Sequence, residues 1–200
     1  MIVAALALAV SAVRLPPIDQ CAGDPSFTHF RNELSLAVEH KDADALLGLM
    51  DDAVVLTFGG RRGKAEFRNY WLANPAERDK LWSELSEVLS LGCAVKAHSQ
   101  VFPSMFAQAD DLDGFETWIA KPGARLRARP AFNGEVIARL SWNVLTEAEP
   151  WDGGDWIAVR TSDGRRGHVH RSAVRSPIDY RLIVQRRGAD WRITYFVAGD

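Results

Sequence analysis

Apolar side chains recur at helical spacing through much of the first hundred residues. Ser26 belongs to the residue types that cap helices, and the apolar positions after it lie three or four residues apart: Phe27, Phe30, Leu34 and Val38. Such a stripe is typical of an amphipathic helix that buries one face. The pattern therefore predicts a helix that begins at Ser26.

The following segments continue this helical character with one exception. Asp42 is a second helix-capping residue, and residues 64–72 again show helical spacing. Asn74-Pro75 interrupts that segment and begins another helix, whose apolar stripe consists of Leu81, Trp82, Leu85, Val88 and Leu89. Residues 54–58, VVLTF, are short and β-branched, which favours a strand. We therefore expect a mainly helical N-terminal domain that contains one strand.

The chain ends in two apolar, β-rich runs. Residues 180–185 and 191–197 flank a turn that contains Gly188, and this pattern predicts a β-hairpin. Because a lone hairpin is only marginally stable in water, we expect it to pair with the strand at 54–58. The segment between them would then be an insertion within one domain.

That segment, residues 121–176, consists of short strands separated by tight turns. The residues that carry its pattern are Leu126-Arg127, Pro130, Trp156 and Gly167-x-Val169. Their order resembles the bacterial SH3-like (Src-homology-3-like, SH3b) domain, a small β-barrel. The resemblance implies binding of a cell-wall peptide or a protein partner rather than catalysis.

A second resemblance concerns the rest of the chain. Gly188, Trp191, Arg192 and Ile193 resemble the terminal hairpin of small, cone-shaped, nuclear-transport-factor-like exported families, in which helices precede a sheet. The expected fold class is α+β: a mainly helical N-terminal domain completed by a C-terminal β-hairpin, plus a small SH3-like β-barrel. The expected divisions are a signal peptide at 1–12, an α+β domain at 13–98 with 177–200, a linker and lead-in strand at 99–120, and the SH3-like domain at 121–176.

The N-terminus and the cysteines both bear on where the protein resides. The run IVAALALAV is too short to span a bilayer, which needs roughly 20 residues, and it fits the apolar core of a secretory signal. No basic residue precedes it, so a hydrophobic first helix is the alternative. In an exported protein the pair Cys21 and Cys93 suggests a disulfide; two buried thiols are the alternative. We expect a periplasmic or otherwise exported protein.

Aromatic and histidine side chains of the SH3-like segment are the candidate ligand-binding residues. The predicted groove consists of Trp142, Trp151, Trp156, His168 and His170. Aromatic faces suit a peptide or glycan because they bury large areas at low entropic cost. The alternative places Trp156 in the core and Trp151 against a loop. His168 stands where the family usually has an aromatic residue, which leaves the identity of the ligand open.

Charge and motif content narrow the function further. From Ala124 onward the chain has 13 Arg, no Lys and 9 acidic residues, which is not the dense basic stripe of a nucleic-acid-binding protein. His168 and His170 have no third ligand fixed beside them, so we expect neither a metal nor another cofactor. The sequence predicts a non-enzymatic protein without a transmembrane segment that binds peptidoglycan, a cell-wall peptide or an envelope protein, with a homodimer as a candidate assembly. The alternative is a small-ligand carrier or cryptic hydrolase that uses the N-terminal α+β domain.

Overall fold

The computed structural model describes residues 12–109 and 112–199 and divides them into two compact units. The outer unit comprises residues 17–109 and 178–199, and the inserted unit comprises residues 12–16 and 112–177. The chain therefore leaves the outer unit, forms the inserted unit and returns to complete the outer unit. Apart from Ala12, the predicted signal peptide lies outside the described residues.

The outer unit contains five α-helices and five strands in its described residues. Its helices are α1 (Pro25–Glu39), α2 (Ala43–Gly48), α3 (Lys64–Phe67), α4 (Pro75–Ser90) and α5 (Met105–Gln108). Its strands are β1 (Met50–Val55), β2 (Ala94–Lys96), β3 (Ser99–Phe102), β11 (Arg181–Arg187) and β12 (Asp190–Val197). One turn of π-helix, Arg68–Leu72, continues α3.

The C-terminal hairpin, β11 and β12, occupies the middle of the outer unit's sheet, whose strand order is β1-β12-β11-β3-β2. Strand β12 pairs in parallel with β1, and Met50 lies opposite Ile193. The hairpin predicted from the sequence is therefore present and pairs with a strand of the N-terminal region. That strand begins at Met50, four residues before the predicted start at residue 54.

The prediction of a mainly helical N-terminal domain is wrong. In its described residues the chain has twelve strands in two sheets, and three of the five α-helices have six residues or fewer. Residues 99–108, which the sequence assigned to a linker, instead form β3 and α5. Strands as short as β2 and β3 contain too few residues for an alternation of apolar and polar side chains to be recognised in the sequence. Their position is fixed by pairing with distant residues, as Phe102 with Leu182.

Helix starts follow local side-chain chemistry. Asp24, rather than Ser26, caps α1, because its carboxylate accepts hydrogen bonds from the backbone N–H groups of Ser26 and Phe27. Asp42 caps α2 as predicted, and Asn74 caps α4 just before Pro75. Ser26 instead joins α1 to the hairpin, because its hydroxyl accepts a hydrogen bond from the Trp191 indole at 3.0 Å.

The helices bury their apolar faces against one side of the sheet. The largest fully buried side chains in this core include Phe27, Trp71, Phe67, Phe102 and Phe196. A disulfide joins Cys21 to Cys93, with the two Cα atoms 5.8 Å apart. It fastens the segment before α1 to the start of β2, where the Cys93 N–H also donates to the Ile18 carbonyl at 2.9 Å.

The inserted unit is one sheet folded around its own core. Its strands are β4 (Thr117–Ala120), β5 (Ala124–Arg127), β6 (Val136–Leu140), β7 (Val144–Glu147), β8 (Trp156–Thr161), β9 (Arg166–His170) and β10 (Val174–Arg175). They follow the order β10-β4-β7-β8-β9-β5-β6, and every neighbouring pair is antiparallel. All seven strands contribute side chains to a single apolar cluster, so the sheet curls over itself.

Two details fix the shape of the inserted unit. Gly167 is required because a Cβ atom there would lie 2.6 Å from the Arg127 carbonyl oxygen. The segment before Pro16 also belongs to this unit: the Leu15 N–H donates to the Trp142 carbonyl at 2.8 Å. The sequence had assigned residues 13–16 to the other domain.

Candidate functional site

Strands β8 and β9 present alternate side chains to the core and to the outside. Ile157, Val159 and Val169 are fully buried in the core of the inserted unit. The residues between them point the other way, since side chains alternate along a strand. Trp156 lies opposite His170, and Ala158 lies opposite His168. The strand period therefore brings three of the five predicted groove residues to one outward face.

Three rings form an aromatic surface on this face: Phe132, Trp156 and His170. The ring centroids of Trp156 and His170 are 5.2 Å apart, and Phe132 lies 5.3 Å from Trp156 and 5.0 Å from His170. Phe132 is 72% exposed, and Trp156 and His170 are partly exposed. An exposed aromatic cluster of this kind offers a large apolar contact area at low entropic cost.

One cleft beside Trp156 is acidic. Its volume is about 420 Å³, and Trp151, Trp156 and His168 form part of its wall. Of the described residues that line it, three are carboxylates and none is Lys or Arg: Glu149, Asp152 and Asp155. The His168 Nδ1 atom is buried and has no hydrogen-bond partner among the described residues. We call this the acidic cleft.

A second cleft, which shares only Trp156 with the acidic cleft among its described lining residues, is basic. It has a volume of about 230 Å³ and is lined in part by Phe132, Trp156 and His170. Its charged residues are Arg125 and Arg127, and no carboxylate is among the described residues that line it. The His170 Nδ1 atom accepts a hydrogen bond from the Ser172 backbone N–H. We call this the basic cleft.

Trp151 is held firmly in place at the edge of the acidic cleft. Its ring packs edge-on against Trp118, with centroids 5.3 Å apart, and the Arg171 guanidinium lies 4.7 Å from the Trp118 ring. Its indole N–H donates to the Gly154 carbonyl at 2.9 Å. Both carboxylate oxygens of Glu147 are also used, one by the Trp118 indole and one by the Trp151 backbone N–H. Trp151 is therefore both partly buried against the core and part of the cleft wall.

The tip of the β8–β9 hairpin is fixed by a charged turn. Asp163 accepts hydrogen bonds from the Arg165 side chain and from the Thr161 hydroxyl. These bonds, of which the one from Arg165 has the larger effect, lower the pKa of Asp163 to about 2. Asp163 also precedes Gly164, which has a φ of +89°. The turn keeps β8 and β9 in the register that sets Trp156 against His170.

The structure separates one predicted groove residue from the others. Trp142 lies in the turn between β6 and β7 with a φ of +60° and lines neither cleft beside Trp156. The sequence also missed several residues of the site. Phe132 was not among the predicted groove residues, and neither were the carboxylates beside Trp151 in the run EPWDGGDW.

The outer unit has a separate concavity. A cleft of about 480 Å³ lies between α1 and α4, and Ser35, Lys41, Asp79 and Ser83 are among its lining residues. Trp82 forms part of its wall and is 4% exposed. Its lining mixes hydroxyl, charged and apolar groups.

Comparisons of the chain with family models, curated proteins and solved structures return no match. Two general properties can be stated from the structure itself. Within residues 12–109 and 112–199, no three His, Cys, Asp or Glu side chains cluster in a way that would hold a metal ion. No helix in the described part of the chain combines the length and apolar character needed to cross a membrane.

Proposed function

We propose that this protein is an exported, non-catalytic binding protein whose inserted unit engages a peptide of the cell envelope, either in peptidoglycan or in a partner protein. The observation that carries the proposal is the aromatic surface together with the two clefts that Trp156 lines. Peptide ligands are commonly held by exposed aromatic side chains next to shallow, partly polar clefts. The resemblance of residues 121–176 to bacterial SH3-like domains points to the same class of ligand.

Two further features support the exported location. The disulfide between Cys21 and Cys93 is the kind of bond that persists in oxidising compartments and is rare in the cytosol. The apolar N-terminal run has the length of a secretory signal core. Together they favour the periplasm or another extracytoplasmic site, where peptidoglycan is available as a ligand.

A sedimentation assay with purified peptidoglycan tests this proposal. The wild-type protein is expected in the pellet, and Phe132→Ala is expected to remain largely in the supernatant because it removes the most exposed ring of the aromatic surface. Phe115→Ala is the matched control, since Phe115 is 67% exposed in the same unit but lines neither cleft beside Trp156. Equal sedimentation of both variants would rule out the aromatic surface as the binding site.

The alternative function is a small-ligand carrier that uses the outer unit. The observation in its favour is the polar cleft of about 480 Å³ between α1 and α4. Its serines and its Lys and Asp side chains suit a polar ligand of modest size. A substitution in this cleft, Ser83→Trp, is expected to leave peptidoglycan binding unchanged. Loss of that binding would favour the outer unit as the binding site.

A further inference from the structure

The basic cleft contains a buried charge that the rest of the described protein does not neutralise. Arg127 is 7% exposed, and its Nη1 atom donates a hydrogen bond to the Gly134 carbonyl at 2.7 Å. No ion pair joins Arg127 to a carboxylate of the described residues. A buried guanidinium is costly to desolvate unless an anion pairs with it. This cleft therefore favours a negatively charged ligand.

A pair of arginines on neighbouring strands adds to the positive potential beside the basic cleft, and one of them, Arg125, lines it. Arg125, at the rim of the basic cleft, is exposed and lies directly opposite Arg139 across β5 and β6. Like charges opposite each other on neighbouring strands destabilise a sheet. An anion bound between the rim and Arg127 would relieve this repulsion. Arg guanidinium groups also match the two oxygens of a carboxylate in geometry.

The acidic cleft, which also adjoins Trp156, has the opposite preference. Its three carboxylates repel a carboxylate of the ligand, so only one of the two clefts accepts that group. Because both clefts adjoin Trp156, a peptide that covers this ring and reaches both clefts meets a different charge in each. The charge difference would fix the direction in which a peptide lies across the aromatic surface.

We propose that the basic cleft binds a carboxylate of the peptide ligand through Arg125 and Arg127, and that the acidic cleft prevents the reverse orientation. This inference rests on the proposed function and adds the chemical group that the site recognises. At about 230 Å³ the basic cleft is smaller than pockets for drug-sized ligands, which start at roughly 300 Å³. It therefore suits the last residue of a peptide with a small side chain, such as alanine.

Three synthetic peptides test the recognition of the carboxylate by isothermal titration calorimetry with the whole protein. All are based on the sequence Ala-Glu-Lys-Ala. The first has a free C-terminal carboxylate, the second has a C-terminal amide, and the third has the free C-terminus but Gln in place of Glu. We expect the amide to weaken binding at least about tenfold, as loss of a charge-assisted bidentate contact does. If binding is lost only with the Gln peptide, the recognised carboxylate is that of the Glu side chain and not the C-terminal one.

Protein variants then locate the partner of that carboxylate. In Arg125→Gln the preference for the free acid over the amide is expected to fall several-fold, because only Arg127 is left to pair with the carboxylate. Arg127→Lys keeps the charge without the guanidinium fork and is expected to reduce the preference for the acid. Arg160→Gln is the control: Arg160 is exposed in the same unit and lines neither cleft.

The outcomes separate this inference from the function on which it rests. If peptidoglycan binds but the acid and the amide have equal affinity for the wild-type protein, the carboxylate site is wrong and the binding function stands. If the preference for the acid survives Arg125→Gln and Arg127→Lys unchanged, the carboxylate binds elsewhere. If neither peptidoglycan nor any peptide binds, both proposals are overturned.

Discussion

Trp156 and His170 face each other across β8 and β9, with ring centroids 5.2 Å apart and ring planes at 87°. This edge-to-face contact is a favoured arrangement of aromatic rings. His170 is held from the other side by Ser172, whose hydroxyl lies 2.7 Å from its Nδ1 atom. These contacts restrain the two rings, of which Trp156 lines both clefts and His170 lines the basic cleft. Fixed side chains lower the entropic cost of binding a ligand.

Replacing His170 with Ala removes both the ring contact and the acceptor for the Ser172 N–H. We expect weaker peptidoglycan binding and a free energy of unfolding lower by about 2 kcal/mol, since one hydrogen bond and one aromatic pair each contribute about 1 kcal/mol. Sedimentation and urea unfolding measure the two effects. His98→Ala, at an exposed position of the outer unit, should change neither.

The disulfide is expected to contribute substantially to the stability of the outer unit. Its two cysteines are 72 residues apart, and closing a loop of that length stabilises by roughly 4 kcal/mol in the chain-entropy model. A variant with both Cys21→Ser and Cys93→Ser should have a lower free energy of unfolding than the purified oxidised protein. The expected difference is roughly 4 kcal/mol. Intact mass before and after reduction measures the bond itself. An oxidised protein whose two thiols both react with an alkylating reagent would contradict this account.

Gly92 is predicted to be intolerant of any side chain. Its φ is +77°, a region that costs other residues roughly 1–2 kcal/mol. A Cβ atom would also lie 2.2 Å from the Ile18 carbonyl oxygen. Gly92→Ala should therefore lower the midpoint of thermal unfolding by several degrees, as calorimetry would measure. Gly48→Ala is the matched control, because nothing lies within 4 Å of a Cβ there and its φ is ordinary. Equal midpoints for both variants would contradict the close approach at Ile18.

Tyr180 makes the stability of the outer unit sensitive to alkaline pH. Burial raises the pKa of Tyr180 to about 12, above its ordinary value of 10. Because the unfolded chain ionises first, the stabilisation is fully present below about pH 10 and is lost as pH rises toward 12. Absorbance at the phenolate band should therefore show a late-titrating tyrosine, and Tyr180→Phe should abolish that step. An unchanged titration curve in this variant would exclude Tyr180 as its source.

The sequence was informative where structure follows from local chemistry. Asp42 was recognised as a helix cap, and the two β-rich runs at the C-terminus were recognised as a hairpin, because both signals lie within a few residues. The prediction of a mainly helical N-terminal domain failed at β2 and β3. These strands are too short to show a period, and the β11 residues that pair with β3 lie far along the chain.

The residues of the candidate site likewise fall into those that the sequence could predict and those that it could not. His168 and His170 are two residues apart and therefore share a face of β9, and the pairing of β9 with β8 sets His170 opposite Trp156. Phe132 and the acidic residues around Asp152 lie in loops, whose path no periodicity predicts. Arg127 was recognised as part of a family pattern, but its burial, without a carboxylate partner among the described residues, emerges only from the folded unit.

The most direct test of the central claim is a nuclear magnetic resonance titration of the seven indole N–H groups with soluble peptidoglycan fragments. Individual Trp→Phe variants assign the signals. We predict that the Trp156 signal shifts most, that Trp151 shifts less, and that Trp82 in the outer unit stays unchanged. A shift confined to Trp82, with Trp156 unaffected, would place the ligand in the outer unit and contradict the account.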